Sequence, residues 1–349
     1  MYRFNCDYLE GAHENIIKRL VETNLCQTPG YGADEITFTA KEKIRVACDA
    51  PDAAVYFLVG GTQSNYTVLD SILRRYEGVL SADTGHISVH EAGAIEYSGH
   101  KVLTVPARNG KLDPEAAEEY MKTFYADATY THMVRPGAIY ISHPSEYGTL
   151  YTEDELARLR DICDKYDMRL FLDGARLGYG LAAYDTDVTL PVIAKYCDAF
   201  YIGGTKCGAL FGEAVVFPDP SLSPCFFTEI KQHGALLAKG RMLGIQFDEL
   251  FSDGLYEKAA RHAIDLAMLL RTALLEKGYE PYNSSPTNQQ FFIFENEKLE
   301  ELSDKVVLDN WGPMGEGKSL VRITTSWATS KEAVDYLISI LYKQKHDDN

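Results

Sequence analysis

Basic residues are short in this chain: 34 lysines and arginines against 51 aspartates and glutamates give a formal net charge of −17. That deficit argues against a nucleic-acid groove or an anionic membrane as partner, since both need a positive field. It leaves room for a small anionic ligand held by local groups. Long apolar runs are missing as well. None approaches the roughly 20 residues that span a bilayer, and Met1-Tyr2-Arg3-Phe4-Asn5-Cys6-Asp7 holds no apolar core of signal-peptide length. The seven cysteines are odd in number and scattered, without a Cys-x-x-Cys pair. This excludes a structural zinc knuckle and favours free thiols in a reducing, cytoplasmic setting. There is no internal repeat, and no low-complexity tract beyond the polar tail His346-Asp347-Asp348-Asn349.

What is present is ordinary globular material. With 349 residues, 46% hydrophobic and 24% charged, the chain can build one large domain with a satellite. Residues 1–12 lack periodicity and read as an extended arm. Apolar spacing predicts helices over Asn15–Asn24 and Phe38–Cys48. Short β-prone runs then alternate with helices. Val55–Val59 precedes a helix opening at Thr62; Val79-Leu80 and Val102–Val105 precede one started by Asp113-Pro114-Glu115. Ala138–Ile141 precedes a helix with the capping box Thr152-x-x-Glu155, and Leu170–Leu172, Ala199–Ile202 and Ala214–Phe217 follow. Such alternation predicts an α/β fold whose mostly parallel sheet is covered on both faces, with ligands at the carboxyl ends of its strands. The texture changes after about residue 240. The expected division is an arm (1–12), a large domain (13–245) and a smaller α+β C-terminal domain (246–349).

Chemistry-bearing residues cluster just after the strand candidates. Lys206, in Gly203-Gly204-Thr205-Lys206, lies between two apolar runs; a poorly solvated lysine loses its proton readily and suits a Schiff base with an aldehyde. A plain loop lysine is the alternative. Asp173 ends the run Leu170-Phe171-Leu172, where a carboxylate either caps a helix or pairs with a protonated pyridine nitrogen. Gly60-Gly61-Thr62-Gln63-Ser64-Asn65 is either an ordinary capped turn or a phosphate cradle at a helix N-terminus. It is neither Gly-x-Gly-x-x-Gly nor a P-loop with its lysine. His86, His90 and Glu91 fall out of metalloprotease order and offer no evident third metal ligand, so no metal is expected; His86 could instead stack on a planar ring. Arg176 and Arg322 offer guanidinium forks for a carboxylate, and Arg322 interrupts an apolar strand.

Together these residues resemble fold type I pyridoxal-phosphate enzymes, and among them the threonine aldolase/β-eliminating lyase family. The resemblance is carried by Tyr31-Gly32-Ala33-Asp34, Gly61-Thr62-Gln63-Ser64-Asn65, His86 with Glu91-Ala92-Gly93, Asp173-Gly174-Ala175-Arg176, Lys206 and Val321-Arg322. It implies that Lys206 carries pyridoxal 5'-phosphate, Asp173 binds its ring nitrogen, Gly61 and Thr62 its phosphate, and that His86 stacks on its ring. Arg176 and Arg322 would grip an amino-acid carboxylate. Arg241, with Lys231, would reach the phosphate side of a neighbouring subunit's site, as expected of a homodimer or homotetramer. Two departures stand out. Glu146 takes the place of a second active-site histidine, and Asn5-Cys6 that of a substrate-binding serine. The implied reaction is cleavage of L-threonine- or L-allo-threonine-type 3-hydroxy-α-amino acids to glycine and an aldehyde, with His86, Glu146 or a bound water taking the hydroxyl proton. β-Elimination or aminotransfer on the same frame, and a non-catalytic binding protein, are the alternatives.

Overall fold

A computed structural model describes residues 1–341; the polar tail His346–Asn349 lies outside the described residues. After the arm strand β1 (Tyr2–Arg3), seven strands build the main sheet: β2 (Ala54–Leu58), β3 (Glu77–Ala82), β4 (Val102–Val105), β5 (Arg135–Ser142), β6 (Arg169–Asp173), β7 (Ala199–Gly203) and β8 (Glu213–Phe217). Their spatial order is β2-β8-β7-β6-β5-β3-β4. The pairs from β4 to β7 are parallel, while β8 runs antiparallel to both β7 and β2. The connection Gly204–Gly212 explains this reversal, since a parallel return needs a crossover of about a dozen residues or more.

Strand alternation sends side chains to two cores, one on each face of the sheet. Leu170, Leu172, Phe200 and Ile202 enter one cluster, and Phe171, Ala199 and Tyr201 the other. Fully burying each large apolar side chain contributes about 1.5–3 kcal/mol. The continuous apolar strands therefore belong inside a helix-covered sheet. The helix Glu153–Tyr166 shows how such a cover is specified. Its capping box satisfies the first turn, and Leu156, Leu159, Ile162 and Cys163 form the buried face.

C-terminal to these, β9 (Glu280–Pro281), β10 (Gln289–Glu295), β12 (Asp309–Pro313) and β13 (Lys318–Thr324) form an antiparallel sheet in the order β12-β13-β10-β9. The short β11 (Val306–Val307) pairs in parallel with β1, so the arm is tied to this smaller unit. The helix Leu255–Glu276 bridges the two units: Ala260, Ala263 and Ile264 pack in the main core, and Leu266, Leu270 and Leu274 in the smaller one. The carboxyl ends of β5, β6 and β7, where Ser142 is in register with Asp173, face the region that carries Arg322.

Candidate active site

Asp173 closes β6, 4% exposed, and would be costly to bury as a lone charge. Four donors surround it. Asn65 Nδ2 (2.8 Å) and Tyr140 Oη (2.6 Å) donate to Oδ2, while the Ala175 N–H (2.9 Å) and Tyr201 Oη donate to Oδ1. Burial pushes its pKa up, but the His86 charge and these hydrogen bonds outweigh it, so the carboxyl titrates below the usual range. The group is a fixed, ionised acceptor.

The helix Gly61–Ile72 starts beside it. Gly60 is its N-cap and offers no side-chain cap, so the first N–H groups are left for a ligand. Gly61 is tight: a Cβ there would come within 3.0 Å of Tyr201 Oη. One turn into the helix, Asn65 reaches both Asp173 and, at 2.7 Å, Glu91 Oε1. Glu91 also accepts from His86 Nδ1 at 2.7 Å. Desolvation opposes the imidazolium, yet Glu91 and Asp173 prevail and the His86 pKa is raised. Nδ1–H is thus committed to Glu91, and Nε2 is the free end of the ring.

Lys206 stands in the β7–β8 connection. No hydrogen bond or ion pair to its Nζ occurs among the described residues, and the face of Tyr8 lies 5.9 Å away. Burial, reinforced by Arg176, lowers its pKa, which favours the neutral nucleophile. The connection is held by Glu213, whose carboxylate accepts from Thr205 Oγ1 (2.8 Å) and the Gly204 N–H (3.2 Å). Burial raises the Glu213 pKa to about 8.

A cleft of about 570 Å³ is lined by Tyr8, His86, His90, Glu146, Arg176, Lys206, Asp309, Asn310, Trp311 and Arg322. An adjoining recess of about 150 Å³ carries Gly61, Thr62, Ser142, Asp173 and Tyr201 on its walls, and shares His86, Glu146, Arg176 and Lys206 with the cleft. Glu146 Oε1 accepts from the His86 N–H (2.8 Å) and Ser142 Oγ (2.6 Å), and burial raises its pKa. Arg176 is paired with Asp7. Arg322 projects from β13 on the side opposite Val321 and Ile323, and bonds Asp309 (2.7 Å), Gln289 Oε1 (2.9 Å) and the Asn5 carbonyl (3.2 Å) beneath Trp311.

The fold thus brings together Lys206, Asp173, Gly61, Thr62, His86, Glu146, Arg176 and Arg322. Arg241 is placed elsewhere: it opens the helix Arg241–Leu250 and donates to the carbonyls of Cys26 and Asn24, outside the Lys206 cleft. Lys231 lies over the Tyr31 ring at 5.2 Å. Neither the Asn5 nor the Cys6 side chain lines the cleft. The arm contributes the Asn5 carbonyl, Asp7 and Tyr8 instead. Among the described residues, the ligand atoms of His86, Glu91 and Asp173 lie within 4.8 Å of one another, as a metal site would require. His90 is outside that group, and the Asn65 amide already bridges the two carboxylates as a donor.

Asp7, Tyr140, Tyr201, Glu213, Asp309 and Trp311 join the site without being singled out by local sequence pattern. Glu213 had a signal, an acid opening an apolar strand. Tyr140 and Tyr201 read as core residues, and only the alternation of β5 and β7 against β6 turns their hydroxyls to Asp173.

The donor set fits pyridoxal 5'-phosphate. An amine with no hydrogen bond among the described residues, an ionised carboxylate, uncapped helix N–H groups and an imidazole line one recess. Known proteins carry the same frame. Residues 11–277 match the β-eliminating lyase family model. A low-specificity L-threonine aldolase of Pseudomonas sp. (strain NCIMB 10558) is 30% identical over 306 residues, 87% of each chain. The structure of a Leishmania major threonine aldolase superposes with a TM-score of 0.93 at 39% identity, covering 97% of this chain and 98% of that one. An aromatic aminotransferase from Pyrococcus horikoshii OT3 shares the fold at 18% identity, with a TM-score of 0.70 and coverage of 97% and 94%. The chain belongs to the threonine aldolase/β-eliminating lyase family of fold type I pyridoxal-phosphate enzymes.

Proposed function

We propose that the protein is a pyridoxal-phosphate-dependent aldehyde-lyase cleaving L-threonine- and L-allo-threonine-type 3-hydroxy-α-amino acids to glycine and an aldehyde. The observation that supports it most is the convergence of Lys206, Asp173 and Arg176 on one recess whose neighbouring cleft accommodates a side chain. Lys206 would hold the cofactor covalently, Asp173 its ring nitrogen, Gly61 and Thr62 its phosphate, and His86 its ring face. The bound cofactor supplies an electron sink for the pair left on Cα when a bond to that carbon breaks.

The remaining work falls to side chains. Arg176 takes the substrate carboxylate, with Arg322 behind it, and so fixes rotation about Cα. Besides a bound water, the hydroxyl proton has two candidate acceptors among the side chains. His86 commits Nδ1 to Glu91 and offers only Nε2. Glu146 keeps one oxygen without a hydrogen bond among the described residues, and burial brings its basicity closer to neutrality. We assign the base role to Glu146 on the geometry of that free oxygen. Ser142 and the His86 N–H hold its other oxygen in place.

Arg241 and Lys231 would act across a subunit boundary in a homodimer or homotetramer. Seven unpaired cysteines suit a cytoplasmic setting, and among the described residues no helix is long and apolar enough to cross a membrane. Borohydride reduction of the purified protein followed by peptide mapping tests the assignment. The reading expects the cofactor on the Lys206 peptide, and a label elsewhere, or none, would refute it.

A further inference from the structure

One short stretch of the arm contacts both arginines of the site and lies beside Lys206. The Asn5 carbonyl accepts from Arg322 Nη2 at 3.2 Å, the Asp7 carboxylate pairs with Arg176, and the Tyr8 ring lies 5.9 Å from Lys206 Nζ. The stretch is firmly held. β1 pairs with β11, the Phe4 N–H donates to the Val307 carbonyl (2.8 Å), the Phe4 carbonyl accepts from the Thr324 N–H (2.8 Å), and Phe4 is fully buried.

Asp7 is the unusual member. It is fully buried, and its contacts with Arg176 are two-pronged: Nε to Oδ2 at 2.8 Å and Nη2 to Oδ1 at 2.9 Å. Asn288 Nδ2 donates to Oδ2 at 2.9 Å, a third bond that fixes the carboxylate plane. A guanidinium has five N–H groups in one plane. The Asp7 pairing uses the side edge, Nε–H with one Nη2–H. The end edge, formed by the other Nη2–H and Nη1–H, is left for a second carboxylate, and no hydrogen bond to Nη1 occurs among the described residues. Arg176 lines both the cleft and the recess.

We propose that Asp7 is a positioning residue for substrate recognition: by clamping the side edge of Arg176, it turns the end edge to the substrate carboxylate. Asp7 itself does not touch the substrate. It also neutralises a guanidinium that would otherwise stand beside Lys206 with no counter-charge. Burial alone would disfavour the Asp7 carboxylate, and the Arg176 and Lys206 charges more than offset it, so the group stays ionised. The arm thus ties the small C-terminal unit, through β11 and β13, to the carboxylate grip on the large one.

The proposal rests on the functional reading above, and the test separates the two. Glycine and methylamine, the same amine with and without a carboxylate, are titrated into cofactor-loaded enzyme and followed by cofactor absorbance. Asp7→Asn should weaken glycine binding on the order of 10²-fold, the cost of a misplaced binding group, and methylamine binding by less than about 3-fold. Asn288→Ala, a milder change should Asp7→Asn not fold, should give a smaller loss, again confined to glycine. Melting of the cofactor-free variants reports their folding independently. Equal losses for both ligands, or none, would overturn the positioning role. A wild-type enzyme that responds to neither amine would overturn the functional reading and the proposal with it.

Discussion

Tyr201→Phe removes one hydroxyl and nothing else from the recess. The ring still packs against Phe171 at 6.3 Å, so the change isolates one of the four donors to Asp173. A hydrogen bond to a charged group contributes about 1.5–3 kcal/mol, and about 1.4 kcal/mol corresponds to a tenfold change in an equilibrium. The bond is already made in the cofactor-free protein, so stability at neutral pH should fall by about 1.5–3 kcal/mol and cofactor affinity by at most roughly 10- to 100-fold. The pH dependence follows from the direction of the Asp173 shift. Its folded pKa is depressed, so its stabilising contribution is present above the ordinary aspartate range and is lost as pH falls through the folded value. Removing a donor raises the folded value, so the acid limb of both cofactor retention and melting temperature should begin at higher pH. Equilibrium titration of cofactor-free protein with pyridoxal phosphate across the acid range measures the first, and thermal melts the second. If the Tyr201→Phe profiles superimpose on wild type, the Asp173 charge is not maintained by this donor set.

The other expectations are more local. Glu146→Gln should lower kcat by about 10²–10⁴-fold with little change in KM. Wild-type kcat should fall as pH drops through the raised Glu146 pKa, and the variant should lose that limb, as steady-state pH profiles would reveal. Glu213→Gln should be nearly neutral near pH 7, because burial to a pKa of about 8 keeps this group protonated there. Its folded pKa lies above the ordinary value of 4.5, so wild-type stability declines as pH rises from 4.5 through about 8. Chemical denaturation at several pH values should show that decline, on the order of a few kcal/mol at most, flattened in the variant.

Much of this arrangement was legible in the chain because it is local. Lys206, Asp173 and Gly61-Thr62 each follow a short apolar run, and in an α/β sheet such positions share one edge. The capped helices at Asp113-Pro114 and Thr152-x-x-Glu155 stand where spacing placed them. The antiparallel direction of β8 was less apparent. An apolar strand looks the same in either direction, and only the short Gly204–Gly212 connection carries the information. Asp7 and Asp309 were invisible for another reason. Each acquires meaning from an arginine brought to it by folding, Arg176 from 169 positions away in the first case. A carboxylate in a short irregular arm carries no periodic signal. Arg322 could be singled out because it breaks an apolar strand, but its pairing with Asp309 depends on the β12–β13 register.

The central claim is the bond that breaks. Fold alone leaves it open, since an aminotransferase shares this frame. The most direct measurement is product analysis with L-threonine and L-allo-threonine as substrates, quantifying glycine, aldehyde, keto acid and ammonia together. Glycine and acetaldehyde should form in equal amounts from L-threonine, and both should be lost in Lys206→Ala. A 2-keto acid with ammonia in place of glycine, or unchanged glycine release from Lys206→Ala, would contradict the claim.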